Sequence, residues 1–182
     1  MNGESSYRRF LDGDDTALGE LVEQYNKSLV FYLLGILKTV DRAEDAAADA
    51  FVKLLVKKPR LKDDFAFRTY LFRMGRNCAI DLLRKEKRRG ETDAEEIEES
   101  ADAFSLETQL LKEERDRCLH TALKALKSEY RDVLHLLYFE EMDYKTAATA
   151  MGKNVKQVTN LAYRAKGALK KILEEKGFDY EI

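Results

Sequence analysis

Two sets of residues in this chain have the types and spacing to grip a polyanion, and a third is acidic. In the first, Lys153, Lys156, Arg164, Lys166, Lys170 and Lys171 fall in a stretch without acids, interleaved with Gln157, Thr159, Asn160 and Tyr163. Lysine and arginine neutralise phosphates, while amides and hydroxyls read base edges in a major groove. In the second, Arg68, Arg73, Arg76, Asn77 and Arg84 run into Lys85, Lys87, Arg88 and Arg89, with Phe65, Phe67, Tyr70 and Phe72 among them. Rings beside guanidinium groups hold unstacked bases and the backbone between them. The third set is Glu44, Asp45 and Asp49 with Lys53; it suits a solvated or protein-binding helix face better than a metal site. Nothing points to catalysis: there is no glycine-rich phosphate loop, no metal cluster and no nucleophile beside a histidine. No cofactor is expected. His120 and His135 stand apart from other ligand types and read as packed or surface residues.

Each set needs an element to hold it. Across residues 143–171, two short helical patterns meet at Gly152, Lys153 and Asn154. Before the break, Tyr144, Ala147, Ala148 and Met151 mark one apolar stripe. After it, Val155, Val158, Ala162, Ala165 and Leu169 continue at three- and four-residue steps. Asp143 and Asn154 suit N-caps, and Gly152 suits a left-handed close. Small alanines allow close helix crossing, so the stretch predicts a helix-turn-helix.

Upstream, residues 1–15 read as a lead-in, with Asp14 or Asp15 capping a long amphipathic helix from Ala17 to Leu37. Asp41 and Glu44 have capping-box spacing before a second helix through Ala43, Ala46, Ala47, Ala50, Phe51, Leu54 and Leu55, which Pro59 ends. Residues 57–64 form a loop. The third helix, 65–89, carries a core stripe of Phe67, Tyr70, Leu71, Met74, Cys78 and Leu82. After residue 105 come a helix through Leu119, Ala122, Leu123 and Leu126, and another, capped by Ser128, with Tyr130, Val133, Leu134, Leu137 and Tyr138 on its apolar face.

Composition agrees with an all-α protein, and the length admits one domain or two small ones. The 182 residues are 45% hydrophobic and 36% charged, with one proline and nine glycines. The net charge of −2 means that nucleic-acid binding must rest on segregation of charge. Residues 90–102 hold Glu91, Asp93, Glu95, Glu96, Glu98, Glu99 and Asp102 and no base, with Ile97 the one bulky apolar residue, so they read as a flexible acidic linker. Cys78 and Cys118 fit reduced, buried positions on apolar stripes. No apolar run suits a leader or a membrane span, which places the protein in the cytoplasm with no membrane insertion. These features admit a DNA-binding regulator, a helical adaptor for proteins, or a transcription factor using both basic sets.

The order of the motifs narrows this. RAEDAAADAFVKL followed by FRTYLFRMGRNCAIDLLRKEKRR resembles region two of bacterial RNA polymerase sigma factors of the extracytoplasmic-function, sigma-70 type. Val158, Asn160, Tyr163, Arg164, Ala165 and Lys166 match the end of that family's region four. The resemblance spans nearly the whole chain in the right order. It departs where Tyr70 replaces a frequent tryptophan, Ala48 a frequent glutamine and Leu161 a frequent arginine.

The resemblance implies an alternative sigma factor that directs core polymerase to particular promoters and assists their melting. Its domains would be a region-two bundle of three or four helices (1–89), the acidic linker (90–105) and a region-four helix-turn-helix domain (106–182). Glu44, Asp45, Asp49 and Lys53 would meet the polymerase clamp helices, and the last domain the flap. In the −35 major groove, Lys156, Gln157, Thr159 and Asn160 would meet base edges, and Lys153, Tyr163, Arg164 and Lys166 phosphates. Lys62, Asp63 and Phe65 would form a pocket for the melted −10 strand, gripped by Arg68, Arg73, Arg76, Asn77 and Arg84. The implied partners are core RNA polymerase, promoter DNA and an anti-sigma factor.

Overall fold

The structure, a computed structural model, describes residues 3–61, 66–89 and 114–177. All of its regular elements are helical. Helices α1 (Gly3–Leu11), α2 (Thr16–Leu37), α3 (Val40–Lys57) and α4 (Ala66–Arg89) build one compact unit. Helices α5 (Glu114–Ala125), α6 (Ser128–Leu134), a π-helical turn (His135–Phe139), α7 (Tyr144–Met151) and α8 (Val155–Glu175) make the bulk of the other. The proposed linker, with Lys62, Asp63 and Phe65 of the pocket, lies outside the described residues, as do the side chains of Cys118 and His120.

In the first unit α2 packs against α1, α3 and α4. Leu21, Leu29, Leu33 and Leu37 come from α2, and Ala43, Ala46, Ala47, Ala50 and Leu54 from α3. Phe67, Leu71 and Phe72 complete the core from α4. Each large side chain removed from water contributes about 1.5–3 kcal/mol. The alanine stripe of α3 carries little bulk, so that helix lies close to its neighbours. Gly75 serves the same purpose on α4: a Cβ there would lie 2.8 Å from Leu29 Cδ1.

The first fifteen residues are not a simple lead-in. Tyr7 and Phe10 are buried on α1. The Tyr7 ring lies 4.7 Å from that of Phe67, and its hydroxyl donates to the Pro59 carbonyl at 2.6 Å. Lys58, left-handed at φ 37°, places its ammonium 4.7 Å from the Phe10 ring centroid. Nine residues with two anchors give too short a periodic signal to stand out in sequence. The N-cap of α2 is Asp15, without a side-chain bond, while the Asp14 carboxylate just before it accepts from Thr16 N at 3.0 Å. The Asp41–Glu44 capping box does not form, because α3 starts earlier, with Thr39 as an N-cap that makes no side-chain bond.

In the second unit α8 packs on α5 and α6. Ser128 does not cap α6; its N-cap is Lys127, again without a side-chain bond. The π-helical turn changes the phase of the apolar face, since it fits more residues into each turn. Tyr138 and Phe139 consequently face solvent, whereas the sequence pattern places Tyr138 inside. His135 is buried, its Nε2 3.2 Å from Glu140 Oε1 and its ring stacked on Phe139.

The helix-turn-helix forms where the sequence places it. The Asp143 carboxylate accepts from Thr146 N at 2.6 Å, and the Thr146 hydrogen bond holds the Asp143 pKa below its ordinary value. Gly152 adopts φ 65° between the helices. Asn154 Oδ1 accepts from Gln157 N at 2.8 Å while Gln157 Oε1 accepts from Asn154 N at 2.9 Å, a complete capping box. Ala147, Ala148, Val158, Ala162 and Ala165 are buried, but Tyr144 and Val155 at the helix starts are exposed.

Candidate nucleic-acid interface

Burial of Val158, Ala162, Ala165 and Leu173 fixes which side of α8 meets solvent. Lys156, Asn160 and Tyr163 then line up at i, i+4 and i+7 on the exposed side, with Arg164 beside them. Tyr163 is 81% exposed. The remaining candidates are partly committed elsewhere. Gln157 Oε1 serves the capping box, and the Thr159 hydroxyl donates to the Val155 carbonyl at 2.9 Å. Lys153 Nζ lies 3.0 Å from Glu129 Oε1. Lys166 Nζ sits 5.2 Å from the Tyr138 ring centroid, and the hydrogen bond with the Tyr138 hydroxyl holds the ammonium pKa above its usual value.

On α4 the candidate grip divides into two groups. Arg73, Asn77 and Arg84 are exposed and share one face at i, i+4 and i+11. Arg68 and Arg76 are half-buried on the flank that turns toward the bundle. Phe72, grouped in sequence with the ring-bearing surface, is instead core, 5.4 Å from the Tyr32 ring. Tyr70 reverses the other way: the sequence pattern puts it in the core, yet it is only half-buried, at the edge of the Arg73–Asn77 face.

Glu44, Asp45 and Asp49 are exposed on α3, as their spacing predicts. Lys53, one turn beyond Asp49, is half-buried, and its Nζ donates to Cys78 Sγ at 3.2 Å; burial pushes the Cys78 thiol pKa up. Cys78 is a free, buried cysteine.

The sigma-70 region 2 family model matches residues 21–89, and the sigma-70 region 4 model matches residues 116–169. The two matches fall one on each unit, in the order of the two basic faces. The chain belongs to the sigma-70 family, as a sigma factor of the extracytoplasmic-function type. The RNA polymerase sigma-H factor of Pseudomonas aeruginosa is 28% identical over 172 residues, covering 89% of each chain. The extracytoplasmic-function sigma factor SigW of Bacillus subtilis is 26% identical over 172 residues, 90% of this chain and 92% of the relative. The fold is shared with CnrH, solved with the cytosolic domain of CnrY, at a TM-score of 0.68 and 23% identity over 96% of this chain and 99% of CnrH. It is also shared with the sigma factor RpoE of Bartonella quintana, solved with the anti-sigma factor NepR, at 0.68 and 20% over 86% and 96%. As an alternative sigma factor, the protein directs RNA polymerase to promoters.

Two features of this sigma factor escape sequence reasoning. Helix α1 lies ahead of the region 2 match and braces the first residues of the α3–α4 loop through Tyr7 and Phe10. On α3, Val52 is 55% and Val56 80% exposed, at i+3 and i+7 beyond Asp49, and Leu55, which the pattern assigns to the core, is exposed too. Valines following the acids on one helix are the available signal, but periodicity alone reads them as a ragged core edge. Among the described residues no helix is long and apolar enough to cross a membrane, and no three His, Cys, Asp or Glu side chains gather for a metal.

Proposed function

We propose that the two units divide promoter recognition between them. The unit of α5–α8 places α8 in the −35 major groove, with Lys156 and Asn160 at base edges and Tyr163 and Arg164 toward the phosphates. Gln157, Thr159, Lys153 and Lys166 keep supporting places there, each holding the helix as well as facing DNA. The unit of α1–α4 captures the melted −10 strand, with Arg73, Asn77 and Arg84 as the exposed grip and Arg68 and Arg76 as its inner flank. Lys62, Asp63 and Phe65 complete the proposed pocket. Extruding a base costs a few kcal/mol, so a charged grip and an adjacent ring such as Tyr70 must offset it. Glu44, Asp45 and Asp49, with Val52 and Val56 further along the helix, meet the polymerase clamp helices, while half-buried Lys53 ties that helix to Cys78. The last domain meets the flap.

The observation that carries this reading is the pairing of two exposed basic faces, one on each unit. Phosphodiester chemistry belongs to the polymerase, so the sigma factor has no catalytic residue and needs no cofactor. It acts in the cytoplasm, and an anti-sigma factor is its proposed regulator.

Run-off transcription with bacterial core polymerase on a pooled fragment library tests the reading. Added protein is expected to create starts that share a spaced −35 and −10 pair. Lys156→Glu with Arg164→Glu should abolish those starts without preventing assembly with polymerase. Asp45→Lys with Asp49→Lys should instead block assembly. Absence of new starts with an assembled complex would sink the division of labour proposed here.

A further inference from the structure

The start of α8 carries an apolar group with no role in the core. Val155, in the first turn, is 46% exposed, although the apolar stripe of the sequence counts it inward. One turn on, Thr159 is exposed as well, and its hydroxyl proton is spent on the Val155 carbonyl at 2.9 Å. Thr159 therefore has no proton left to donate to a base. What it offers beyond an acceptor oxygen is a methyl group, one helical turn above the valine. Gln157 is restricted too, because its Oε1 is held by the Asn154 backbone and bidentate pairing with adenine needs that atom. Two of the four residues expected to read bases by hydrogen bonds are thus diverted. An apolar pair stands beside the Lys156–Asn160 face in the very turns that reach base edges.

The major groove presents one apolar group for such a pair, the 5-methyl of thymine. Leaving Val155 in water would also waste the burial that a β-branched side chain gains on contact. We infer that Val155 and the Thr159 methyl group form a thymine-methyl reader, so that one position of the −35 element is specified as thymine by apolar contact. This inference rests on the placement of α8 in the −35 major groove. Lys156 and Asn160 supply hydrogen-bonded readout at neighbouring positions, and the valine adds discrimination that they cannot.

The test uses the full protein with core polymerase on a promoter recovered by the transcription screen. Each thymine of the −35 element, on either strand, is replaced singly by deoxyuridine, which removes the methyl and nothing else. One replacement is expected to lower open-complex occupancy roughly fourfold, the factor for one buried methylene-sized group. Val155→Ala should lower occupancy on the thymine promoter and leave the deoxyuridine promoter unchanged. Thr159→Ser, which keeps the hydroxyl and removes the methyl, should behave alike. Indifference to every deoxyuridine, while transcription still depends on this protein and on Lys156, would overturn the inference and leave the sigma mechanism standing. Equal losses for Val155→Ala on both promoters would overturn it too, by making the valine a support for the helix. If no start depends on the protein at all, the reading beneath the inference fails first.

Discussion

On α8 the commitments of individual side chains sort the candidates into readers and supports. Asn160, exposed on the line from Lys156 to Tyr163, has an amide suited to bidentate pairing with adenine. Asn160→Ala is expected to cost about 1–3 kcal/mol at one base position and to relax the preference there. Arg164→Ala should weaken all promoter sequences alike and reduce the slope of log affinity against log salt by about one. Lys153→Ala should change that slope less, because its ammonium already faces Glu129 at 3.0 Å. Competition binding of the polymerase complex across a salt series separates the three. A larger salt effect from Lys153 than from Arg164 would show the assignment reversed.

Among the elements, α1 is the one whose importance is least apparent from its length. Its Tyr7 hydroxyl ties the Pro59 carbonyl, and Tyr7→Phe is expected to cost about 1 kcal/mol of stability. The same phenol makes a pH prediction. Burial, followed by the neighbouring Tyr70, pushes the Tyr7 pKa up to about 12 from an ordinary 10.0. The folded state therefore favours the neutral phenol. Its contribution is full below pH 10 and is lost as pH rises toward 12. Urea midpoints measured across that window should fall more steeply for the wild type than for Tyr7→Phe, and parallel curves would contradict it. The contact between α2 and α4 supplies a second test. Gly75→Val forces atoms against Leu29 and should destabilise the first unit by about 1–3 kcal/mol, read as a lower denaturation midpoint.

For the whole molecule, charge segregation matters more than the total. A net charge of −2 conceals a stretch from Lys153 to Lys171 with six cations and no acid, five of them on α8, and an acid-rich stretch from Glu91 to Asp102. Two modest sites on one chain gain from effective concentration, since the second engagement is intramolecular. A protease site inserted within residues 90–105 tests this. Cleavage of the assembled complex is expected to lower promoter occupancy by about a hundredfold or more. Occupancy unchanged after cleavage would mean that polymerase holds each half without help from the tether.

The all-α class and the helix-turn-helix were legible in sequence because local rules set them. Three- and four-residue apolar spacing, Asn154 with Gln157, and Gly152 at a left-handed turn are satisfied by residues close in the chain. The order of the two motifs likewise survives without coordinates, and with it the family. Exposure was not legible where it depends on distant neighbours. Tyr70 and Phe72 sit two residues apart on α4, and only packing against Tyr32 and the rest of the bundle decides that Phe72 is core and Tyr70 is edge. The π-helical turn moved Tyr138 outward by a change of phase that no regular periodicity predicts. Side-chain commitments were equally hidden: Lys53 turns to Cys78, twenty-five residues away, and Lys153 to Glu129. Local spacing writes the helices, but which atoms remain for a partner is settled only when remote segments meet and use up the others.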